Sequence, residues 1–511
     1  MSYAKAHSAQ TNFLNAYIVD IEVDLARGMY AFSVIGLPDQ ATEEAKDRIS
    51  AAIKNSGFQS PKASNHKITI SLAPAEVKKE GAVLDLGMAL AYLLSAGEIM
   101  FEPKNKIFLG ELSLDGQVRK TKGVLALTRE ALKRGFKEIF VPTENAVEAA
   151  LVEDIKVYPV NTLQDCINHL EGEKLLKQQP KTKIENFQKD KITGAETDFS
   201  FIKGQESAKR ALEIAAAGGH NVCLYGPPGT GKTMLAKAFS AILPEPSFEE
   251  ILEITEIHSI AGALPDSILT ERPFRSPHHT SSYVSMVGGG ALVRPGEITL
   301  AHRGVLFLDE FPEFDAKTME ALRQPLEEKS ISVSRAKGSA KFPANFILIA
   351  AMNPCPCGNF GIKGRPCTCS PMQIERYKRK LSGPIMDRID LWVEVSRVDH
   401  DQLSEMPEKE ENSGLRTRIN QAREKQRERF KENSKLTTNG DMGGRDLVSI
   451  IKLKEEVKNI LNESARRLNI SARSYHRLMK VARTIADLEN SEEIEKEHIL
   501  EALSYRPKVT Y

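Results

Sequence analysis

The segment Gly226-Pro227-Pro228-Gly229-Thr230-Gly231-Lys232-Thr233 constrains this chain more than any other. It matches G-x-x-x-x-G-K-[ST]. It also lies between an apolar run, Asn221-Val222-Cys223-Leu224-Tyr225, and a helix-like stretch from Met234 to Ala241. A strand, a glycine-rich turn and a helix in that order place backbone N–H groups and the positive end of a helix around one anion. The context predicts a phosphate site in which Lys232 reaches the β- and γ-phosphates of ATP and Thr233 ligates Mg²⁺. A parallel α/β sheet is the architecture that such a strand–loop–helix unit requires.

Two further strings fit the same site. Gly304-Val305-Leu306-Phe307-Leu308-Asp309-Glu310 reads as a buried strand ending in two acids. Asp309 is placed to hold Mg²⁺, and Glu310 to polarise an attacking water. Phe346-Ile347-Leu348-Ile349-Ala350-Ala351-Met352-Asn353-Pro354 is another buried strand, ending in an Asn that can hold the water or sense the γ-phosphate. Taken alone, Asn353 before Pro354 is an ordinary turn residue. Arg388, among Asp387 and Asp390, and Arg473, at the head of an amphipathic segment, read from their surroundings as surface ion-pairing residues.

The 511 residues allow about three domains. With 41% hydrophobic and 27% charged residues the chain has material for several cores, which excludes disorder throughout. Lys and Arg number 70 against 69 Asp and Glu, so net charge gives no argument for nucleic acid or for a membrane surface. The first thirty residues carry no uninterrupted apolar signal core. No stretch approaches the roughly 18–20 apolar residues of a membrane span, so a cytoplasmic protein without membrane partners is expected.

Strand-like and helix-like segments alternate over 1–170, which reads as a mixed α/β domain. Tyr30 to Gly36 and Lys67 to Leu72 read as strands, Thr42 to Asn55 and Asp85 to Ser95 as helices. Ile107 to Leu112, the Asp115-Gly116 turn and Gln117-Val118-Arg119 suggest a hairpin, followed by a helix from Val124 and a strand from Glu138. Polar, Lys-rich residues 171–198 read as a linker. Residues 199–398 form the α/β core, and 399–511 are helical. In the last region Gly414 to Lys435 has the charge of a solvated helix. Tyr475, Leu478, Met479, Ala482, Ile485 and Ala486 repeat at helical spacing, and Asn490 with Glu493 suggests a capping box.

Four of the six cysteines cluster as Cys355-x-Cys357 and Cys367-x-Cys369 in a Gly/Pro-rich stretch. Four thiolates suit a structural, tetrahedral Zn²⁺. C-x-C is tighter than the usual spacing, and free thiols in a rigid loop are the alternative.

The order of these motifs resembles that of AAA+ ATPases of the magnesium chelatase-like group, and more closely the YifB/ComM family, over nearly the whole chain. The resemblance is carried by Arg275-Ser276-Pro277-His278-His279-Thr280-Ser281, Gly288-Gly289-Gly290, Arg294-Pro295-Gly296-Glu297-Ile298-Thr299-Leu300-Ala301-His302-Arg303-Gly304 and Asn353-Pro354-Cys355-Pro356-Cys357-Gly358. It implies a P-loop AAA+ core with a C-terminal helical lid. Arg388 would be an arginine finger acting in a neighbouring subunit's ATP site, Arg473 the sensor arginine of the lid, and Gln205 part of the adenine pocket. A finger in trans implies a ring, normally a homo-hexamer. The implied activity is ATP-driven movement on single-stranded or branched DNA, as in helicases that promote branch migration during natural transformation. The other branch of the group remodels a protein partner. The insert from Thr280 to Gly296 would face the ring pore with a mobile glycine tip. A hairpin spanning Glu328 to Phe342 would offer Arg335, Lys337 and Lys341 to DNA phosphates. The first domain resembles the Lon protease fold without its Ser–Lys pair, because Val83 and Leu125 occupy the matching positions and neither can act as a nucleophile.

Overall fold

The computed structural model describes residues 3–188, 198–290, 294–335, 338–361, 365–381, 383–398, 412–433 and 436–507. The chain divides into two compact units. Met1–Asp190 groups with Ser247–Thr270, and Lys191–Pro246 groups with Glu271–Tyr511.

The first unit is mixed α/β. Strands Tyr3–Asn12 and Asn15–Arg27 form a long antiparallel hairpin, His66–Ala73 adds antiparallel to its second strand, and Ala31–Ile35 closes the sheet in parallel. One face, with Ala6, Ile21, Val23, Ile68 and Ile70, lies in the core with helix Asp85–Ala96, which is apolar nearly all round and correspondingly buried. A second sheet is parallel: Lys106–Phe108, Glu138–Pro142 and Lys156–Val160. The expected hairpin after Ile107 is split. Glu111–Leu112 pairs with Val118–Arg119, while Lys106–Phe108 belongs to the parallel sheet. Leu125 is fully buried and Val83 half-buried, so neither position presents a nucleophile.

Two boundaries differ from those read in the sequence. Residues expected to begin a linker are hydrogen-bonded to the first unit: Gln179 N–H donates to Val157 O at 2.8 Å and Thr182 N–H to Ala150 O at 3.0 Å. A polar composition had hidden this, because the anchoring is by backbone. Residues 189–197 lie outside the described residues. The second difference is helix Phe248–Ala261, assigned by sequence to the core at 199–398. Its Ile251 and Leu252 are buried with Val124, Leu127 and Ile139 of the first unit. Its Ser259 Oγ donates to Glu148, accepts from Gly123 N–H at 2.9 Å, and so helps satisfy a carboxylate that burial pushes towards its neutral form.

The second unit is built on a five-stranded parallel sheet in the order Phe274–Arg275, Val305–Leu308, Ile347–Met352, Val222–Tyr225, Leu391–Glu394. Its strands are buried on both faces, which is why they read as unbroken apolar runs. Helices Glu206–Gly218 and Lys232–Ile242 pack in the same core as the C-terminal helices. Gly288–Gly289, expected at a mobile tip, pairs with Arg294–Pro295. Residues 291–293 and the expected core–lid boundary at 398–399 fall outside, or at the edge of, the described residues.

The helical region contains Asn412–Arg429, Gly444–Ile450, Glu455–Arg467, Ala472–Leu488 and Lys496–Ser504. Asn412–Arg429 is not wholly solvated: Leu415, Ile419, Ala422 and Gln426 form a buried stripe under its charged face. The Asn490 capping box is also corrected. Asn490 has a left-handed φ of 61° just after helix Ala472–Leu488, and the last helix is capped by Glu495 with His498. A buried carboxylate, Asp487, ties the region together. It accepts from Arg429 Nη1 at 2.8 Å, Asn439 Nδ2 at 2.8 Å and Arg483 Nε at 3.2 Å. Among the described residues no helix is long and apolar enough to cross a membrane.

Removing Asp487 leaves two guanidinium groups without their buried counter-charge. Asp487→Ala is expected to lower local stability by about 3–5 kcal/mol. The loss should appear as faster amide exchange in Ala472–Leu488, with protection in the first unit unchanged, and Asp487→Asn should lose less.

Candidate nucleotide site

The parallel register decides which side chains meet. Tyr225 lies opposite Met352, so the loop from Gly226 and the residue Asn353 leave the sheet at one level. Leu308 lies opposite Ala350, which brings Asp309 to the same carboxyl edge. Gly226 is required here, because a Cβ would lie 2.2 Å from Val395 O.

Lys232 is only 8% exposed. Its ammonium donates to Gly226 O at 2.9 Å, Pro227 O at 2.7 Å and Asn353 Oδ1 at 3.2 Å. Burial lowers its pKa, with the nearby Asp309 charge opposing. Thr230 Oγ1 braces the loop by donating to Pro227 O at 3.0 Å. Thr233 Oγ1 donates to Asp309 Oδ2 at 2.9 Å. Two hard oxygen donors side by side fit Mg²⁺, which Thr233 and Asp309 would hold and which would supply charge neutralisation at a bound phosphate. Glu310 is exposed beside them, with a left-handed φ of 51° and its N–H donating to Asp309 Oδ1 at 2.9 Å. Gln205, also left-handed, caps helix Glu206–Gly218 and donates to Ser396 O.

The structure brings together Lys232, Thr233, Asp309 and Asn353. The two arginines meet elsewhere, at Glu327. Arg388 is not on the surface as its sequence neighbours suggest: it is 6% exposed, donates to Pro384 O at 2.6 Å and to Glu327, and its Nε has no partner among the described residues. The Arg388 hydrogen bond holds the Glu327 carboxyl below the usual carboxylate range. Arg473 is exposed, with Nη2 3.8 Å from the same carboxylate.

Two residues of this neighbourhood carried no role in the sequence reading. His279 Nδ1 lies 3.0 Å from Glu310 Oε2 and so fixes the carboxylate expected to orient water. Glu327 is the second, and nothing in its sequence context marks it. The His278-His279 pair was visible as part of a signature string, with no indication of its target.

The hairpin Ser330–Arg335/Gly338–Pro343 forms as expected, with Ile331, Val333, Ala340 and Phe342 buried and Lys341 exposed. Lys337 lies outside the described residues, as does the Arg335 side chain.

The four clustered cysteines converge. Their Sγ atoms all lie within 4.8 Å of one another. Cys355–Cys357 are 3.4 Å apart, Cys355–Cys367 3.7 Å and Cys357–Cys367 3.5 Å. A disulfide needs about 2.05 Å. Four sulfurs about 2.3 Å from a central Zn²⁺ stand about 3.8 Å apart, which these separations approach. Backbone N–H groups complete the cradle: Phe360 N–H donates to Cys355 Sγ at 3.3 Å and Cys357 N–H to Cys369 Sγ at 3.4 Å. The N–H groups of Asn359 and Thr368 pull the Cys357 thiol down to about 5, while Cys367 and Cys369 beside it are raised.

A parallel sheet with a phosphate loop, an acidic strand end and a polar strand end on one edge defines a P-loop ATPase of AAA+ type. The chain belongs to the magnesium chelatase-like YifB/ComM family. Models of the magnesium chelatase subunit ChlI match residues 198–403 and 21–145, and a model of its C-terminal part matches 409–506. A YifB protein of Salmonella typhimurium is 41% identical over 512 residues, 99% of this chain and 97% of that protein. Competence protein ComM of Haemophilus influenzae is 40% identical over 513 residues, 100% of this chain and 98% of that protein. A shorter match, 28% over 172 residues, joins 34% of the chain to 18% of the DNA replication licensing factor mcm-6 of Caenorhabditis briggsae.

Lys232→Ala is expected to lower ATP turnover more than about a hundredfold, the scale of losing one preorganised donor to developing charge. Phosphate release checks it, with circular dichroism unchanged. If Glu310 orients water as its sequence context implies, His279→Ala is expected to lower kcat about tenfold or more at unchanged KM, since it frees a carboxylate used in the chemical step.

Proposed function

We propose that this ATPase is a ring-forming motor acting on single-stranded or branched DNA, a helicase-like enzyme that promotes branch migration in recombination and natural transformation. The observation that carries the reading is the assembled site of Lys232, Thr233, Asp309, Glu310 and Asn353 in a chain similar over its full length to a competence protein. Glu310 matters, because a nucleotide-set switch needs no group to polarise water. Gly226 to Thr233 cradle the phosphates, Thr233 and Asp309 hold Mg²⁺, and Gln205 lies beside the adenine. Arg388 acts in trans in a homo-hexamer, exchanging Glu327 for a neighbour's γ-phosphate, while Arg473 senses nucleotide from the lid. The buried Arg388 guanidinium, with a spare Nε donor among the described residues, supports such an exchange. Arg335, Lys337 and Lys341 meet DNA phosphates from their hairpin. The four cysteines hold a structural Zn²⁺, supported by their sulfur separations. The first unit serves binding or assembly, and the protein works in the cytoplasm. The matches to magnesium chelatase subunits favour one alternative, remodelling of a protein partner.

ATP hydrolysis with and without single-stranded, duplex and forked DNA, at two salt concentrations, separates the two. The motor reading expects stimulation by DNA that weakens steeply with salt and vanishes in Lys232→Ala. Arg388→Ala should lose about 10³-fold or more of the rate, as for other fingers in trans. Turnover that needs Lys232 and ignores DNA favours the protein partner.

A further inference from the structure

The four-cysteine loop touches the nucleotide site at three places. The first is Gly358, which closes a turn by donating its N–H to Cys355 O at 2.9 Å. Its φ is +78°, and a Cβ there would stand 2.6 Å from Pro228 Cδ and 3.1 Å from Pro228 Cγ. The turn that carries the first two cysteines is thus packed directly on the phosphate loop. The second is covalent: Cys355 follows two residues after Asn353, whose Oδ1 accepts from Lys232 Nζ at 3.2 Å. The third comes from the other cysteine pair. Ser370, next to Cys369, caps helix Pro371–Arg379, and that helix buries Tyr377 with its hydroxyl against the Asn353 backbone.

The two cysteine pairs therefore belong to two segments, one continuing from Asn353 and packed on Pro228, the other leading into the helix whose Tyr377 meets the Asn353 backbone. Thiol–thiol contacts are weak, and thiolates crowded this closely repel one another. A metal ion converts the same four atoms into a rigid cross-link.

We propose that the four-cysteine centre is a zinc-dependent brace of the ATP site: bound Zn²⁺ holds the Cys355–Gly358 turn against Pro228 and Asn353 opposite Lys232, so metal occupancy sets nucleotide affinity. The proposal rests on the ATPase reading and on the zinc assignment, and deepens both. Gly358 is the informative position, because it contacts the phosphate loop without being a ligand.

The test uses the full chain in Mg²⁺ buffer. Zinc content is measured by atomic emission, affinity with a fluorescent ATP analogue, and turnover by phosphate release. These are read on wild type, on wild type stripped with a mercurial and chelator and then reduced, on stripped protein returned to Zn²⁺, and on Cys357→Ser/Cys369→Ser and Gly358→Ala. About one zinc per chain is expected. Stripping should weaken nucleotide binding about tenfold to a hundredfold, the scale of a small displacement in a preorganised site, and zinc should restore it. Gly358→Ala should keep its zinc and still lose affinity. Zinc present, with affinity and turnover the same after stripping, overturns the brace and leaves the metal centre. Absence of zinc and of zinc uptake overturns both. Should the double cysteine variant fail to fold, stripped wild type and Gly358→Ala decide the matter. Failure of the ATPase reading is separate: zinc-loaded wild type would then bind nucleotide without turnover, or turnover would survive Lys232→Ala.

Discussion

The parallel pairing of Val222–Tyr225 with Ile347–Met352 is the constraint on which the rest depends. Both strands are buried on both faces, so a slip of one residue would turn the strand over and move every loop that leaves its carboxyl end. That single register fixes the height of Gly226 relative to Asn353, and through Val305–Leu308 the height of Asp309. Side chains from three distant parts of the sequence then meet within hydrogen-bond reach of Lys232 or Thr233. No long-range electrostatics is needed to assemble them, since apolar burial does it first.

Charge then determines how the assembled site can change. Lys232 is held by its loop carbonyls and Asn353, and at a separate place Arg388 and Arg473 meet the carboxylate of Glu327. These partners differ in what their loss would cost. Glu327 is 56% exposed at its side chain, so water can solvate it once Arg388 leaves, whereas a fully buried carboxylate would be stranded. A phosphate offers the guanidinium a stronger and bidentate acceptor. On the proposed finger role, exchange of Glu327 for phosphate is the low-cost direction of motion, while the buried Arg429–Asp487 pair is suited to staying fixed.

What was legible in the sequence follows from where burial is apolar and contiguous. The phosphate loop and both acidic and polar strand ends stood out because a parallel strand buried on two faces leaves an unbroken apolar run ending at the functional residue. The hairpin Tyr3–Asn12/Asn15–Arg27 did not, since the buried side of its first strand is Ala4, Ala6, Ser8 and Gln10, too small or polar to show a period. Helix Phe248–Ala261 was legible as a helix, and its membership of the first unit was not. That depends on Ser259 meeting Glu148 across a large sequence separation. Asn490 failed as an N-cap because the same residue type suits a left-handed helix end equally well. His279 and Glu327 act through contacts that only the fold creates.

The stretch from Asn353 to Asp390 raises a problem of its own, for it joins the central strand Ile347–Met352 to the edge strand Leu391–Glu394 and carries Asn353 at its start. Among its described residues the buried apolar side chains are few: Cys355, Tyr377, Leu381, Ile385 and Ile389. Ordering each residue of a loop costs about 1–2 kcal/mol, and so little apolar burial cannot offset that over its length. The proposed metal cross-link of four sulfurs would supply order where a core is lacking, as one does in small metal-dependent domains. The ligands also stand where order is most useful. One pair is tied to Asn353 and packed on Pro228, and the other leads into the helix that buries Tyr377 beneath the same Asn. Without such a cross-link, Asn353 would lead straight from the buried central strand into a segment with little apolar support.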